Sequence, residues 1–310
     1  MSPDAVRHHV AGNILPTPEG PGPHKSDLGG GHGRFKTLPN HANPKNADPG
    51  DREVRLSVII TRDGPVTIVT IDRPARRNAV APDTATALRD AFAAFADDGD
   101  ALVAILTGNA GHFCAGFDLH AVGSSRYDPD GPGPMGPTRM LLDKPVIAAV
   151  EGHAVAGGLE LALWCDLRVA AASAVFGVYC RRWGVPLIDG GTVRLPRIVG
   201  QGRALDMILT GRPVDAAEAQ RIGLADRVVA DGEALPAATT LAKQIAAFPQ
   251  LCMTGDRMSA YRQWDFDLAE ALTHEAHAGV APLREGAAAG AKRFTEGAGR
   301  GGSFAAFKGE

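Results

Sequence analysis

An α/β fold is what this 310-residue sequence predicts, on three observations. From Val54 onward, short β-branched runs alternate with segments of helical periodicity. Glycines stand where strand-like runs give way to helix-like ones, at Ala115-Gly116-Phe117 and Ala156-Gly157-Gly158. Beyond Thr192 helical patterns take over, which predicts a mostly helical C-terminal part.

Residues 1–52 precede this pattern. Pro, Gly, His and Asn dominate there (Pro16-Thr17-Pro18, Gly29-Gly30-Gly31), with almost no apolar periodicity. Such a segment buries too little to offset its ordering entropy, so it reads as a poorly ordered extension. Leu56–Thr61 and Val66–Ile71 flank Arg62-Asp63-Gly64-Pro65 and read as a hairpin. Pro82–Ala96 reads as a helix with Leu88, Phe92 and Phe95 on one face. Leu102–Thr107 is a short buried-type strand, 124–137 a Gly- and Pro-rich loop, and Val146–Val150 a further strand. A helix starts near Gly157, and Leu167–Ala172 returns as a strand. Helices are expected at Arg203–Thr210, Ala216–Ile222, Ala234–Phe248, Asp256–Ala278 and Pro282–Phe294, before a Gly-rich flexible tail from 297 to 310.

Composition bounds the function. Hydrophobic residues at 45% and charged residues at 22% are ordinary for a globular protein. With 35 acidic against 32 basic residues, a net charge of -3 gives no basic surplus to attract nucleic acid or an anionic membrane. Cys114, Cys165, Cys180 and Cys252 show neither metal-site spacing nor a disulfide framework. They read as reduced thiols in a cytoplasmic setting, and no metal or separate cofactor is expected. No run is long and apolar enough for a membrane span, and no Gly-x-Gly-x-x-Gly follows the first strand to suggest a dinucleotide site.

The two glycine stretches carry the chemistry. Each leaves free backbone N–H groups at a helix start, and two such groups converging on one point would hold a developing oxyanion. Glu160 follows the second stretch within one helical turn, in the apolar setting Leu159-Glu160-Leu161-Ala162-Leu163-Trp164. An unpaired carboxylate is expensive there, so burial should raise its pKa into an acid/base range. The alternative for Glu160 is a helix-dipole interaction.

The sequence resembles the crotonase (enoyl-CoA hydratase/isomerase) superfamily over roughly residues 54 to 296. The marks are Asp72-Arg73-Pro74 with Asn78-Ala79, Thr107-Gly108 before Phe113-Cys114-Ala115-Gly116-Phe117-Asp118-Leu119, and Lys144-Pro145 running through Gly152 to Gly157-Gly158-Leu159-Glu160. Cys165-Asp166, Phe176-Gly177, Gly190-Gly191-Thr192, Leu195-Pro196, Leu209-Thr210-Gly211-Arg212 and Gly223-Leu224-Ala225 follow in order. The resemblance implies a crotonase-type spiral of ββα units over 53–200. It also implies a helical region at 201–296 that builds a homotrimer or dimer of trimers, and an acyl-CoA substrate whose coenzyme is part of the substrate.

By position, the oxyanion hole falls on the N–H groups of Phe117 and Gly157, with Glu160 as the main acid/base. Arg76 and Arg77 lie where the family holds coenzyme A, though two solvated surface arginines are an equal reading. Ala115, Gly116, Asp118 and Gly158 complete the expected substrate-binding loops, Asp118 also setting the turn. Hydratases carry a second glutamate where this chain has Cys180, so the usual partner carboxylate is missing. Asp189, before Gly190-Gly191-Thr192, is the substitute, its alternative being a cap for the helix near Thr192. Cys180 and Met140, with Leu141 and Leu142, are expected in the acyl pocket. His112 and His120 bracket the first stretch, and His153 reads as structural. The leading expectation is reversible hydration of a 2-enoyl-CoA. Enoyl-CoA isomerisation, thioester hydrolysis, or acyl-CoA binding without chemistry are the alternatives.

Overall fold

The computed structural model describes residues 57–123 and 127–304; residues 1–56, with the N-terminal extension at 1–52, residues 124–126 and residues 305–310 lie outside them. Strands β1 (Val58–Asp63) and β2 (Val66–Ile71) form the expected hairpin, with Asp63 opposite Val66 and Gly64-Pro65 in the turn. Helix α1 (Pro82–Asp97) begins with proline, whose missing N–H is harmless in the first turn, and buries Leu88, Phe92 and Phe95. It leads to β3 (Val103–Gly108), parallel to β2.

The chain then alternates between two sheets. Strand β4 (Val146–Val150) joins the first sheet and β5 (His153–Val155) the second, followed by α2 (Gly157–Trp164). The unit repeats as β6 (Leu167–Ala171) and β7 (Val175–Gly177), then helices α3 (Gly191–Val199) and α4 (Gln201–Thr210). Next come β8 (Val214–Asp215), α5 (Ala216–Arg221), β9 (Arg227–Val229) and α6 (Ala234–Ala246). The large sheet runs β1-β2-β3-β4-β6-β9 and the small one β5-β7-β8.

The large sheet is parallel from β2 to β9, and such sheets need both faces covered. One face carries Val66, Val103, Ile105, Ile147 and Val169 against Ala238, Leu241 and Ala242 of α6. The other packs Val69, Ile71, Leu106 and Val150 on α1 and α2. The core therefore does not end at residue 200. Strand β9 closes the edge that β6 would otherwise leave unpaired, and α6 covers a whole face.

The helix expected over Asp256–Ala278 is two helices. Helix α7 (Gln250–Arg262) ends in a 3₁₀ turn at Gln263–Asp265, and α8 (Leu268–Ala278) restarts at Asp267. Asp267 accepts from the Glu270 N–H at 2.9 Å while Glu270 reaches back to the Asp267 N–H, a capping box that starts a new helix. Helical residues continue from Val280 to Thr295 through a π turn at Leu283–Ala287. Among the described residues no helix is long and apolar enough to cross a membrane.

Candidate active site

The two glycine loops are laced together by backbone bonds. The Cys114 N–H donates to the His153 carbonyl at 2.8 Å, and the Val155 N–H returns to the Cys114 carbonyl at 3.1 Å. A Cβ on Gly158 would collide with the Cys114 carbonyl, so only glycine permits this approach. Gly116 turns the first loop at φ +102°, and a Cβ there would sit 3.1 Å from the Gly157 nitrogen. Ala156, just before α2, adopts φ 53° and ψ −125°, a region glycine favours. Its N–H is anchored on the Gly177 carbonyl at 2.9 Å.

Phe117 and Gly157 line one cavity of about 940 Å³. Neither of their N–H groups donates to an acceptor among the described residues, whereas the neighbouring Asp118 N–H is spent on the Val80 carbonyl. Two unspent amides on residues that line one space are the raw material of an oxyanion site.

Glu160 and Asp189 also line that cavity, although each residue is only 2–3% exposed. Glu160 Oε1 accepts from the Asp189 N–H at 2.9 Å and the Gly191 N–H at 2.8 Å. Asp189 Oδ1 accepts from the Met135 N–H at 3.0 Å and from the Thr138 hydroxyl. Each carboxyl thus has one oxygen held by two donors, and Oε2 and Oδ2 accept nothing among the described residues. Burial, assisted by the nearby Asp189 charge and opposed by the N–H donors, pushes Glu160 up to about 7. Burial likewise raises Asp189, against the donors Thr138 and Met135. A carboxyl poised near neutrality suits proton transfer.

The other expected site residues divide. Ala115, Arg77 and Cys180 line the cavity. Burial, then the Glu160 charge, raises the Cys180 thiol, which keeps it protonated. Arg76 does not line it; its side chain is exposed beside the left-handed Arg77. Gly116, Asp118 and Gly158 sit behind the lining rather than in it. Asp118 is occupied structurally, pairing with Arg73 at 3.0 Å and accepting from the His120 N–H at 3.1 Å. Burial pushes its carboxyl up, but Arg73 and His120 outweigh that and hold it below its ordinary range.

Met140 is corrected by the structure. With Leu141 and Leu142 it lines a separate cavity of about 720 Å³ between α3 and α7, where Trp164 Nε1 donates to the Met140 carbonyl at 2.8 Å. The methionine on the Glu160 side is Met135, fully buried and pressed on the Gly157 Cα. His153 lines the cavity while His112 and His120 do not. Burial, then the charges of His112 and Arg77, keeps the His153 ring below its ordinary range.

Met135, Thr138 and Arg194 were missed in sequence. They come from a Gly-Pro-rich loop and from α3, and no spacing links them to Asp189. Arg194 ties them together, donating to the Asp189 carbonyl at 3.0 Å and the Thr138 carbonyl at 2.7 Å.

Known proteins resemble this chain in sequence and in fold. The family profile described as Enoyl-CoA hydratase/isomerase matches residues 61–297. Enoyl-CoA hydratase EchA19 of Mycobacterium tuberculosis is 42% identical over 201 residues, covering 61% of this chain and 74% of that protein. Carnitinyl-CoA dehydratase of Salmonella typhi is 42% identical over 194 residues, with coverages of 61% and 74%. An enoyl-CoA hydratase structure from Mycobacterium tuberculosis H37Rv superposes with a TM-score of 0.74 at 35% identity, covering 77% of this chain and 96% of that one. One from Bacillus anthracis gives 0.72 at 28% identity, covering 78% and 96%. Because the matched span takes in both glycine loops, both sheets and the C-terminal helices, this chain belongs to the enoyl-CoA hydratase/isomerase family, the crotonase superfamily.

Proposed function

We propose that this chain is an acyl-CoA lyase catalysing reversible hydration of a 2-enoyl-CoA to a 3-hydroxyacyl-CoA. The observation that carries the reading is one cavity lined both by Phe117 and Gly157, whose amides are unspent, and by two buried carboxyl residues, each with one oxygen uncommitted. The thioester oxygen sits against the Phe117 and Gly157 N–H groups. Ionised Asp189 takes a proton from water as the water oxygen bonds Cβ, and the double-bond electrons move onto the thioester oxygen. Protonated Glu160 then delivers its proton to Cα as the enolate collapses. The two carboxyls end with their protonation exchanged, and solvent restores it.

The amides act because charge grows on the oxygen only as the barrier is climbed, and each is worth about 2.7–4 kcal/mol of barrier. Arg77, exposed at the cavity wall, is suited to a coenzyme A phosphate.

Purified protein mixed with crotonyl-CoA should bleach the conjugated thioester absorbance. Glu160→Gln should cut kcat by roughly 10²-fold or more, the range of a positioned proton donor. No turnover with short, medium or long chains would remove hydration from first place. In a second reading, enoyl-CoA isomerisation, Glu160 alone would move one proton between Cα and Cγ, since the neutral thiol of Cys180 supplies no second carboxylate to that reaction either. A 3-enoyl-CoA converted while a 2-enoyl-CoA is not hydrated would select it.

Self-association belongs to the same proposal. No residue of α7, α8 or the Val280–Thr295 run is buried, and Leu268 (77% exposed) and Leu283 (70%) stand in solvent. Copies of this chain, as a trimer or a dimer of trimers, would cover them.

A further inference from the structure

We propose that Thr138 is a positioning residue for Asp189, one that determines which carboxyl oxygen handles the proton. The inference rests on the reading of Asp189 as the second proton-transfer group.

The Thr138 hydroxyl and the Met135 N–H both donate to Asp189 Oδ1, so that oxygen is committed to the protein. Thr138 is 1% exposed, and Gly133 closes over the hydroxyl and Oδ1 so tightly that any Cβ at 133 would strike both. Water cannot replace the hydroxyl there. Only Oδ2 is left to accept or give a proton. Arg194 holds the arrangement by bridging the Thr138 and Asp189 carbonyls, which pins the loop carrying 133–138 to the turn before α3.

The charged and titratable groups facing Asp189 are Glu160 from α2, Arg194 from α3 and Arg139 from the turn at Pro137–Arg139. Cys180 shares the cavity. None of the three charged groups donates to the Asp189 carboxyl. Among the described residues Thr138 is the one side chain that does, so removing its hydroxyl both frees the carboxyl to rotate and disfavours its ionised form.

The test is Thr138→Val, which keeps the shape and deletes the donor, beside Thr138→Ser, which restores it. Crotonyl-CoA kinetics would be followed from about pH 5 to 9, the span over which such a pair titrates. The valine variant should lose roughly tenfold in kcat with KM within about twofold, and the pH limb reporting Asp189 should move upward. Serine should return both. Should the valine variant not fold, Thr138→Cys, a weak donor of similar size, should give the same upward move.

Asp189→Asn separates the two levels. If it lowers kcat and Thr138→Val then has no further effect in its background, the coupling is as proposed. If Asp189→Asn lowers kcat but the valine profile superimposes on the parent's, or serine fails to rescue, Thr138 has no positioning role. Full activity of Asp189→Asn would overturn the reading of Asp189 itself.

Discussion

Glu160 shows how one residue couples stability to chemistry. Its folded pKa of about 7 lies above the reference 4.5, so the unfolded chain ionises first as pH rises. No penalty exists below the reference value; stability is lost between the two values, reaching about 3 kcal/mol above the upper one. Glu160→Gln should therefore raise the thermal midpoint at about pH 8 and leave it unchanged near pH 4, as calorimetry would read. Asn78 is a second single-residue device, fully buried at φ 57°. It accepts from the Arg73 N–H and donates to the Asn109 and His112 carbonyls, at 2.9, 2.9 and 2.6 Å. Asn78→Ala would remove the amide partner of these part-buried groups, lowering the urea midpoint by an amount that corresponds to about 1–3 kcal/mol in total. Gly158→Ala should cost at least as much, because the obstacle is a backbone carbonyl that cannot rotate away.

At the scale of elements, what was legible depended on how each segment is buried. Strands β2 and β4 and helix α1 carry their own patterns, hence their bounds were read to within about a residue. Helix α2 has no polar face, all eight residues being buried, so its start was legible only from Gly157 and Gly158. Leu161→Ala within it should cost about 2–5 kcal/mol, read as a loss of unfolding free energy. The three-residue strands β5, β7 and β9 are too short to show alternation and exist because neighbouring edges needed partners. The break between α7 and α8 was written in Asp267 and Glu270, but apolar residues on both sides masked it. For the candidate site, the glycine context pointed to the two loops and to Glu160, and the family resemblance pointed to Phe117 and Gly157. Thr138 and Arg194 could not, since their meaning arises only when distant segments meet.

Across the whole molecule, burial is lopsided. The parallel strands β2, β3, β4 and β6 are enclosed on both faces, whereas the segment after Gln250 is fastened to the core largely by polar contacts. Arg257 reaches Asp166 at 2.7 Å, and the Tyr261 hydroxyl donates to the same carboxylate at 2.8 Å. Sedimentation should find more than one copy per particle, and Leu268→Asp with Leu283→Asp should shrink it. With copies covering it, mass action would tie this arm's stability to protein concentration. Upon dilution it should melt ahead of the sheets, giving a midpoint that climbs with protein concentration and a protease cut near Gln263–Phe266 that fades as the solution is made stronger.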